Sequence, residues 1–225
     1  MTTQPQQSPQ PQGEIRGPKQ FEKAFSVSRE TLDRLKTYES LLQRWQKTIN
    51  LVAPSTLDQI WGRHFADSAQ ILALAPPEPK TWVDLGTGAG FPGLVVATLL
   101  APKGQTKVTL VESDSRKAAF LREAAREMAV PVDILPLRIE AAATRVSLRR
   151  AGVISARALA PLPRLLALAH PFCSTQTVCL FLKGREASRE LQAAVSEWIF
   201  ESELVPSLTD PEGRVVIVRN LQPRV

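Results

Sequence analysis

The chain has 225 residues, 44% of them hydrophobic, and its net charge is +6 from 28 lysines and arginines against 22 acidic residues. That length suits one domain with a sizeable core and excludes a second large domain. No uncharged run of about 18 apolar residues occurs, which argues against a membrane-spanning helix or a secretory signal, so we expect a cytoplasmic protein without membrane contact.

The N-terminal part of the chain divides into a tail and a helical extension. Residues 1–20 are rich in glutamine and proline with almost no apolar side chains, and they are predicted to be disordered. Apolar residues then recur every three or four positions from Arg29 to Ile49, which predicts an amphipathic helix capped by Ser28. A second helix is predicted over residues 55–75. Clustered prolines at 76–79 close this extension, residues 21–79.

The remainder, residues 80–225, alternates strands with helices. Strands are predicted at 81–85, 107–112, 132–136, 152–156 and 177–183, and helices at 91–100, 115–129, 140–150, 161–171 and 186–200. Two late strands, 202–206 and 213–219, are joined by a turn. This pattern predicts an α/β fold with a seven-stranded, mostly parallel sheet, one strand near an edge being antiparallel, packed as one unit with the extension.

A glycine-rich loop follows the first strand: Asp84-Leu85-Gly86-Thr87-Gly88-Ala89-Gly90-Phe91-Pro92-Gly93. Such a loop lets a ligand lie against bare backbone amides. Counted from Gly88, its glycines fit a dinucleotide fingerprint, so glycine spacing alone leaves a dinucleotide and S-adenosylmethionine both open. Asp84 favours S-adenosylmethionine, because a carboxylate would repel a pyrophosphate and attract a cationic ligand.

Two further positions extend this predicted pocket. Glu112 ends the second strand, where a carboxylate can accept the hydroxyls of an adenosine ribose. Ile139 and Glu140 follow the third strand and could flank and hydrogen-bond an adenine. The residues themselves predict cofactor contacts at Asp84, Gly86, Thr87, Gly88, Gly90, Gly93, Glu112, Ser113, Ile139 and Glu140.

The distribution of charge suggests the partner. No acidic residue lies between Glu140 and Glu186, whereas seven cations do, which indicates a phosphate-rich partner. Cys173 and Cys179 are the only cysteines of the chain, and zinc sites need three or four clustered ligands, so we expect free thiols and no metal site.

Six segments together resemble the bacterial small-subunit ribosomal RNA guanine-N7 methyltransferases, also called glucose-inhibited division protein B. They are Asn50-Leu51-Val52-Ala53, Arg63-His64-Phe65-Ala66-Asp67-Ser68, Asp84 to Gly93, Arg138-Ile139-Glu140, Ser155-Ala156-Arg157-Ala158 and Lys183-Gly184. The resemblance implies a class I, Rossmann-like methyltransferase fold, S-adenosylmethionine as methyl donor, and N7 of one guanine in small-subunit ribosomal RNA as acceptor. It also implies cofactor contacts at Gly86, Phe91, Ile139, Glu140 and Arg157.

Guanine N7 carries a lone pair and no proton, so this chemistry needs alignment and charge but no general base. We therefore predict positioning roles for Arg138 and Arg157, and a catalytic or merely structural role for His64. The predicted RNA-binding residues are Asn50, Arg63, His64, Arg145, Arg149, Arg150, Lys183 and Arg185. The expected partner is small-subunit ribosomal RNA or the ribosomal subunit, and the protein is expected to be a monomer. The alternatives are a noncatalytic RNA-binding or ribosome-assembly module and a nicotinamide-dependent oxidoreductase.

Overall fold

The computed structural model of the chain describes residues 14–224. Residues 1–13 of the predicted disordered tail lie outside the described part. For residues 14–20 the prediction is wrong, because helix α1 (Pro18–Phe25) begins within them and Ile15 is only 7% exposed. The carbonyl of Ile15 lies against Gly62, where a side-chain Cβ would come within 2.7 Å of it. Burial of Ile15 and its close approach to Gly62 thus hold in place a segment whose composition is typical of disordered chains.

Helices and strands follow the predicted order. The α-helices are α1, α2 (Arg29–Trp45), α3 (Asp67–Ala69), α4 (Gly93–Leu100), α5 (Ser115–Glu127), α6 (Ile139–Ala142), α7 (Leu162–Ala169) and α8 (Ala187–Ala194). The strands are β1 (Thr81–Leu85), β2 (Lys107–Val111), β3 (Asp133–Leu135), β4 (Val153–Arg157), β5 (Val178–Lys183), β6 (Trp198–Pro206) and β7 (Arg214–Pro223). None of the helices in residues 14–224 has the length and apolar character that crossing a membrane requires.

The strands form one seven-stranded sheet in the order β3-β2-β1-β4-β5-β7-β6. Strands β1 to β5 are parallel, and β7 runs antiparallel to both β5 and β6. The prediction of a mostly parallel sheet with one antiparallel strand near an edge is confirmed. The strand order reverses between β1 and β4, so that the loops after β1, β2 and β4 meet at the carboxyl edge of the sheet, where ligands bind in folds of this kind.

Side chains alternate between the two faces of the sheet, and each face is covered by helices. Trp82 of β1 packs into a core shared with α1, α2, α4 and α5, whereas its neighbour Val83 packs into a core shared with α6 and α7. Parallel strands that are buried on both faces appear in the sequence as continuous apolar runs, and such runs predict the positions of strands well.

Three predicted helices differ from the structure. The helix predicted over 55–75 is a succession of 3₁₀ (Pro54–Gln59), π (Ile60–Ala66), α3 and 3₁₀ (Gln70–Leu74) turns. The helix predicted over 140–150 ends at Ala142, and the one predicted over 186–200 ends at Ala194. Residues 198–200 instead begin β6, where Trp198 and Ile199 pair with β7 before an irregularity at Phe200, and tertiary pairing of this kind overrides local helix propensity.

Candidate functional site

A cleft of about 590 Å³ lies at the carboxyl edge of the sheet. Nine of the twelve predicted cofactor residues line it: Gly86, Thr87, Gly88, Phe91, Glu112, Ser113, Ile139, Glu140 and Arg157. Arg138, predicted to position substrate, lines it as well. The structure therefore brings together residues that are up to 71 positions apart in sequence.

The loop after β1 is held open by backbone conformations that favour glycine. Gly86 and Gly88 have φ angles of +63° and +59°. Glu112 fixes the loop from the neighbouring strand, since one carboxylate oxygen accepts the Gly88 amide at 2.8 Å and the other accepts the Asp114 amide at 2.8 Å. Each carboxylate oxygen keeps further acceptor capacity. Glu112 can therefore shape the loop and still accept the hydroxyls of a bound ribose.

Asp84 lies beneath the loop and does not line the cleft. Its side chain is fully buried, with one oxygen accepting the Gly93 amide at 2.9 Å and the other accepting the Ser155 hydroxyl at 2.6 Å. Burial raises the pKa of Asp84 to about 6, although these hydrogen bonds oppose the shift. The geometry joins β1, β4 and the start of α4 through this carboxylate, and its predicted contact with the cofactor stays a prediction.

Two loop glycines are expected to respond differently to alanine. At Gly93 a Cβ would come within 2.5 Å of the Asp84 Cβ, so Gly93→Ala should lower the free energy of unfolding by roughly 1–3 kcal/mol. At Gly88 the nearest protein atom to a Cβ is the Gly86 carbonyl oxygen at 4.0 Å, so the protein has room for a methyl group there. Gly88→Ala should still cost about 1–2 kcal/mol, because the φ of +59° strains the backbone of a residue with a Cβ. Its methyl group would instead obstruct a ligand lying against the loop.

Urea unfolding and calorimetric titration with S-adenosylhomocysteine test this pair. Gly88→Ala should lose most of its ligand affinity while remaining folded. Gly88→Ala that binds as tightly as the wild type would mean that no ligand approaches the loop at Gly88.

Arg157 and His64 meet above the ring of Phe91. The guanidinium carbon of Arg157 is 4.9 Å from the ring centroid, and the His64 ring stacks on the Phe91 ring at 4.8 Å and 23°. Arg157 also donates to the Asp67 carboxylate at 3.1 Å and to the Arg63 carbonyl at 3.0 Å. The guanidinium is thus held in one orientation by the helical extension.

The hydrogen bonds of His64 define its tautomer. Its Nδ1 lies 2.7 Å from Arg157 Nη2, and because a guanidinium only donates, Nδ1 must accept. Nε2 therefore carries the proton and donates to the Thr56 hydroxyl at 2.8 Å. Burial, together with repulsion from Arg157 and Arg63, lowers the pKa of His64 to about 3. The imidazole is neutral and its lone pair is occupied, so it orients Arg157; the predicted catalytic role stays a prediction.

A second cleft of about 630 Å³ adjoins the first, and the two share Leu51, Arg157 and Ala158. Four of the predicted RNA-binding residues line it: Arg63, His64, Lys183 and Arg185. Arg63 pairs with Asp210 at 2.9 Å and lowers the pKa of that carboxyl. A substrate entering this cleft would reach the cofactor cleft beside Arg157.

Lys183 also has partners within the protein. Its ammonium donates to the Ala160 carbonyl at 2.8 Å and pairs with Glu190 at 2.7 Å, and Glu190 accepts the Leu162 amide at 2.6 Å. The ammonium is therefore engaged in holding the segment after β4, which lines the cofactor cleft. Its predicted contact with an RNA phosphate stays a prediction.

The other predicted RNA-binding residues lie apart from the two clefts. Asn50, Arg145, Arg149 and Arg150 are exposed and line neither cleft. Arg150 lies just before β4, at the amino end of the strand, whereas the clefts lie at its carboxyl end. The charge run in the sequence therefore does not correspond to one continuous surface.

Several lining residues were not among the predicted ones, namely Leu51, Lys117, Arg164 and residues 158–161. Residues 158–161 follow β4 just as Glu112 follows β2, so their position at a strand end is a signal that could have found them. Leu51 stands in the first of the six segments that carry the family resemblance, but it lies far from the glycine loop in sequence, so no local pattern places it in this cleft.

The lining of the first cleft fits an adenosine-bearing ligand. Thr87 lines the cleft between Gly86 and Gly88, and its hydroxyl helps to lower the pKa of the buried Asp84. Glu112 provides carboxylate acceptors, and Ile139 provides an apolar surface for a purine. Near the loop, Lys117, Arg138 and Arg157 could bind a carboxylate. These donors and acceptors match S-adenosylmethionine, which has ribose, adenine and carboxylate groups.

Comparison with known proteins agrees with this geometry. A model of the family described as rRNA small subunit methyltransferase G matches residues 31–216. Relatives from Parvibaculum lavamentivorans and Rhodospirillum centenum, both named ribosomal RNA small subunit methyltransferase G, are 49% and 52% identical to this chain. The alignments cover 89% and 91% of this chain, and 88% and 91% of the relatives.

Solved structures show the same fold at low identity. A TehB-like SAM-dependent methyltransferase from Corynebacterium glutamicum has a TM-score of 0.54 at 15% identity over 82% of this chain and 98% of that one. A methyltransferase from Geobacter sulfurreducens has a TM-score of 0.55 at 13% identity, over 83% and 88%. The sheet and its flanking helices are those of class I, Rossmann-like methyltransferases.

Proposed function

Because the chain belongs to the rRNA small subunit methyltransferase G family, we propose that it transfers the methyl group of S-adenosylmethionine to N7 of a guanine in small-subunit ribosomal RNA. One observation supports the proposal above the others. The cofactor cleft and the second cleft meet at Arg157, so that a donor in one and an acceptor base in the other would face each other across that side chain.

In this proposal the first cleft holds the cofactor. Glu112 accepts the ribose hydroxyls, Ile139 and Glu140 contact the adenine, and the backbone of Gly88 leaves room for the ligand. When bound, S-adenosylmethionine would supply a methyl group on a sulfonium: the N7 lone pair would form the N–C bond as the S–C bond breaks, which leaves S-adenosylhomocysteine and requires no proton transfer. This chemistry needs no general base, in agreement with an imidazole at His64 whose lone pair is already occupied.

Arg157 and Arg138 position the reactants in this proposal. Methylated guanine carries a positive charge, so a guanidinium close to N7 would oppose the reaction. We therefore assign Arg157 to guanine O6 or to a phosphate, both of which accept hydrogen bonds from a guanidinium. Arg63 and Arg185, which line the second cleft, are proposed to contact the RNA backbone.

The direct test is transfer of a tritiated methyl group from S-adenosylmethionine to naked small-subunit RNA and to assembled subunits. We expect label in at least one of them, and a single N7-methylguanine on mapping by mass spectrometry. RNA that binds the protein and gains no label would instead support the noncatalytic ribosome-assembly alternative. Saturable NAD binding in calorimetry would support the oxidoreductase alternative.

The proposal extends to the setting of the reaction. Ribosomal RNA is modified where ribosomes are assembled, so we place the protein in the cytoplasm. Both clefts are built from one chain, and we propose that the protein acts as a monomer. Sedimentation at micromolar concentration should then give the mass of one chain, 24.7 kDa.

A further inference from the structure

The helical extension contributes one polar contact to the glycine loop, through Tyr38. This residue lies in the middle of α2, and its side chain is fully buried. Its hydroxyl donates a hydrogen bond to the carbonyl oxygen of Ala89, a residue that lines the cofactor cleft. The two residues are 51 positions apart in sequence, so the contact joins the extension to the loop directly.

The surroundings of Tyr38 explain the ring but not the hydroxyl. Aromatic side chains surround it, with ring centroids at 5.3 Å for Phe65, 5.5 Å for Phe91 and 6.2 Å for Phe120. A phenylalanine would fill the same space. Burying a hydroxyl costs free energy unless it forms a hydrogen bond, and the bond to Ala89 is its only one in residues 14–224. The hydrogen bond to the loop is therefore the interaction that offsets the cost of burying the Tyr38 hydroxyl.

The Ala89 carbonyl depends on Tyr38 in return. Ala89 is 3% exposed, and among the described residues no other group donates to its carbonyl. Next to it, Gly90 has a φ of +96°, and a Cβ there would overlap the Tyr38 hydroxyl. Burial raises the pKa of Tyr38 well above its usual value, so the hydroxyl remains a donor at any working pH. The 89–90 peptide is therefore held from both sides: the Gly90 amide donates to the Thr87 carbonyl at 2.8 Å, and the Ala89 carbonyl accepts from Tyr38.

From these contacts we infer that Tyr38 is a positioning residue of the cofactor site: its hydroxyl holds the glycine loop in the conformation that binds S-adenosylmethionine. The inference rests on the proposed function and adds the helical extension to the cofactor-binding machinery. Without the hydroxyl, the loop populates other conformations. The apparent dissociation constant then rises by the inverse of the fraction that remains competent to bind.

The variant Tyr38→Phe keeps the ring and removes the hydroxyl. We expect it to bind S-adenosylhomocysteine roughly tenfold more weakly in calorimetry, the size of effect that follows from one lost buried hydrogen bond. The KM for S-adenosylmethionine should rise by a similar factor, whereas kcat at saturating cofactor should stay within about twofold, because saturation restores the bound conformation. A purely structural role would lower thermal stability and leave the dissociation constant unchanged.

A matched control is Thr98→Val. Thr98 is also fully buried and its hydroxyl also donates to a backbone carbonyl, that of Leu94 at 2.7 Å, but it lines neither cleft. It should lose stability without losing affinity for S-adenosylhomocysteine. Equal affinity losses in both variants, or a Tyr38→Phe affinity within twofold of the wild type, would refute the inference.

A second measurement needs no destabilising variant. Tyr38 is the only tyrosine of the chain, so growth with 3-fluorotyrosine places a single fluorine label at this position. The ¹⁹F resonance should shift or sharpen when S-adenosylhomocysteine is added, and an unchanged resonance at saturation counts against the inference. A wild-type chain that binds no S-adenosylhomocysteine at all would refute the proposed function, whereas wild-type binding with an unaffected Tyr38 refutes the positioning role alone.

Discussion

Replacing Arg157 with alanine is expected to lower kcat/KM for methyl transfer by about 100-fold while the protein stays folded. Arg157 lies where the two clefts meet, and its guanidinium is fixed by Asp67, by His64 and by the Arg63 carbonyl. A loss of this size is what misplacing reactants by about an ångström can produce. Asp67 keeps hydrogen bonds from Gln70 and Thr209, so its carboxylate is not left without partners in the variant.

The matched control for this variant is Arg34→Ala. The Arg34 side chain is 18% exposed, close to the 17% of Arg157, and it too forms an ion pair, with Glu30 on α2. It lines neither cleft. Arg34→Ala should retain full activity, with circular dichroism and urea unfolding confirming that both variants fold. Turnover by Arg157→Ala within threefold of the wild type would remove Arg157 from the site.

Much of the site was accessible from the sequence because it depends on local patterns. Apolar runs located the strands, and a ligand-binding residue at a strand end, such as Glu112, follows from the rule that the carboxyl edge carries the site. Glycine spacing located the loop, whose positive φ angles only glycine adopts readily. Nine of the twelve predicted cofactor residues line one cleft: local patterns supplied seven of them, and the family resemblance supplied Phe91 and Arg157.

The remainder depends on contacts between distant segments, which no local pattern carries. Tyr38 occupies an apolar position of an amphipathic helix, and only the fold shows that its hydroxyl meets Ala89. Asp84 stands beside the glycines in sequence but is turned beneath the loop towards Gly93 and Ser155. The sequence predicts that Lys183 is a cation available at a strand end, but its ammonium forms an ion pair with Glu190 and a hydrogen bond to the Ala160 carbonyl. In each case the residue type is visible in the sequence, but the partner of the side chain depends on a tertiary contact that the sequence pattern does not contain.

His64 is expected to make the protein sensitive to mild acid. Its pKa is lowered to about 3, so the folded state keeps the imidazole neutral while the unfolded chain takes up a proton near pH 6.5. The stability that depends on neutral His64 is fully present above pH 6.5 and is lost as pH falls towards 3. Between pH 7 and pH 5 the free energy of unfolding should drop by about 2 kcal/mol from this residue.

Urea unfolding at pH 7 and pH 5 checks this expectation in the wild type and in His64→Asn. Asp84 acts in the opposite direction, because its pKa is raised to about 6 and folding therefore favours its protonated form as pH falls from about 6 to 4. The informative quantity is the difference between the two proteins, from which the Asp84 contribution cancels. That difference should change by about 2 kcal/mol between the two pH values. A constant difference would contradict the assignment, as would an equal effect in His170→Asn, which removes the other histidine.

The same titration predicts how activity depends on pH through Arg157. A protonated His64 has no lone pair to accept from the Arg157 guanidinium, and the two cations would then lie in direct contact above Phe91. Because the pKa of His64 in the folded protein is about 3, almost every folded molecule keeps this contact between pH 7 and pH 5. Methyl transfer per folded molecule should therefore lose nothing through His64 over this range, while the free energy of unfolding falls. A loss of the Arg157 contact in the folded protein at pH 5, seen as an imidazolium signal of His64 in NMR, would contradict the pKa of this histidine.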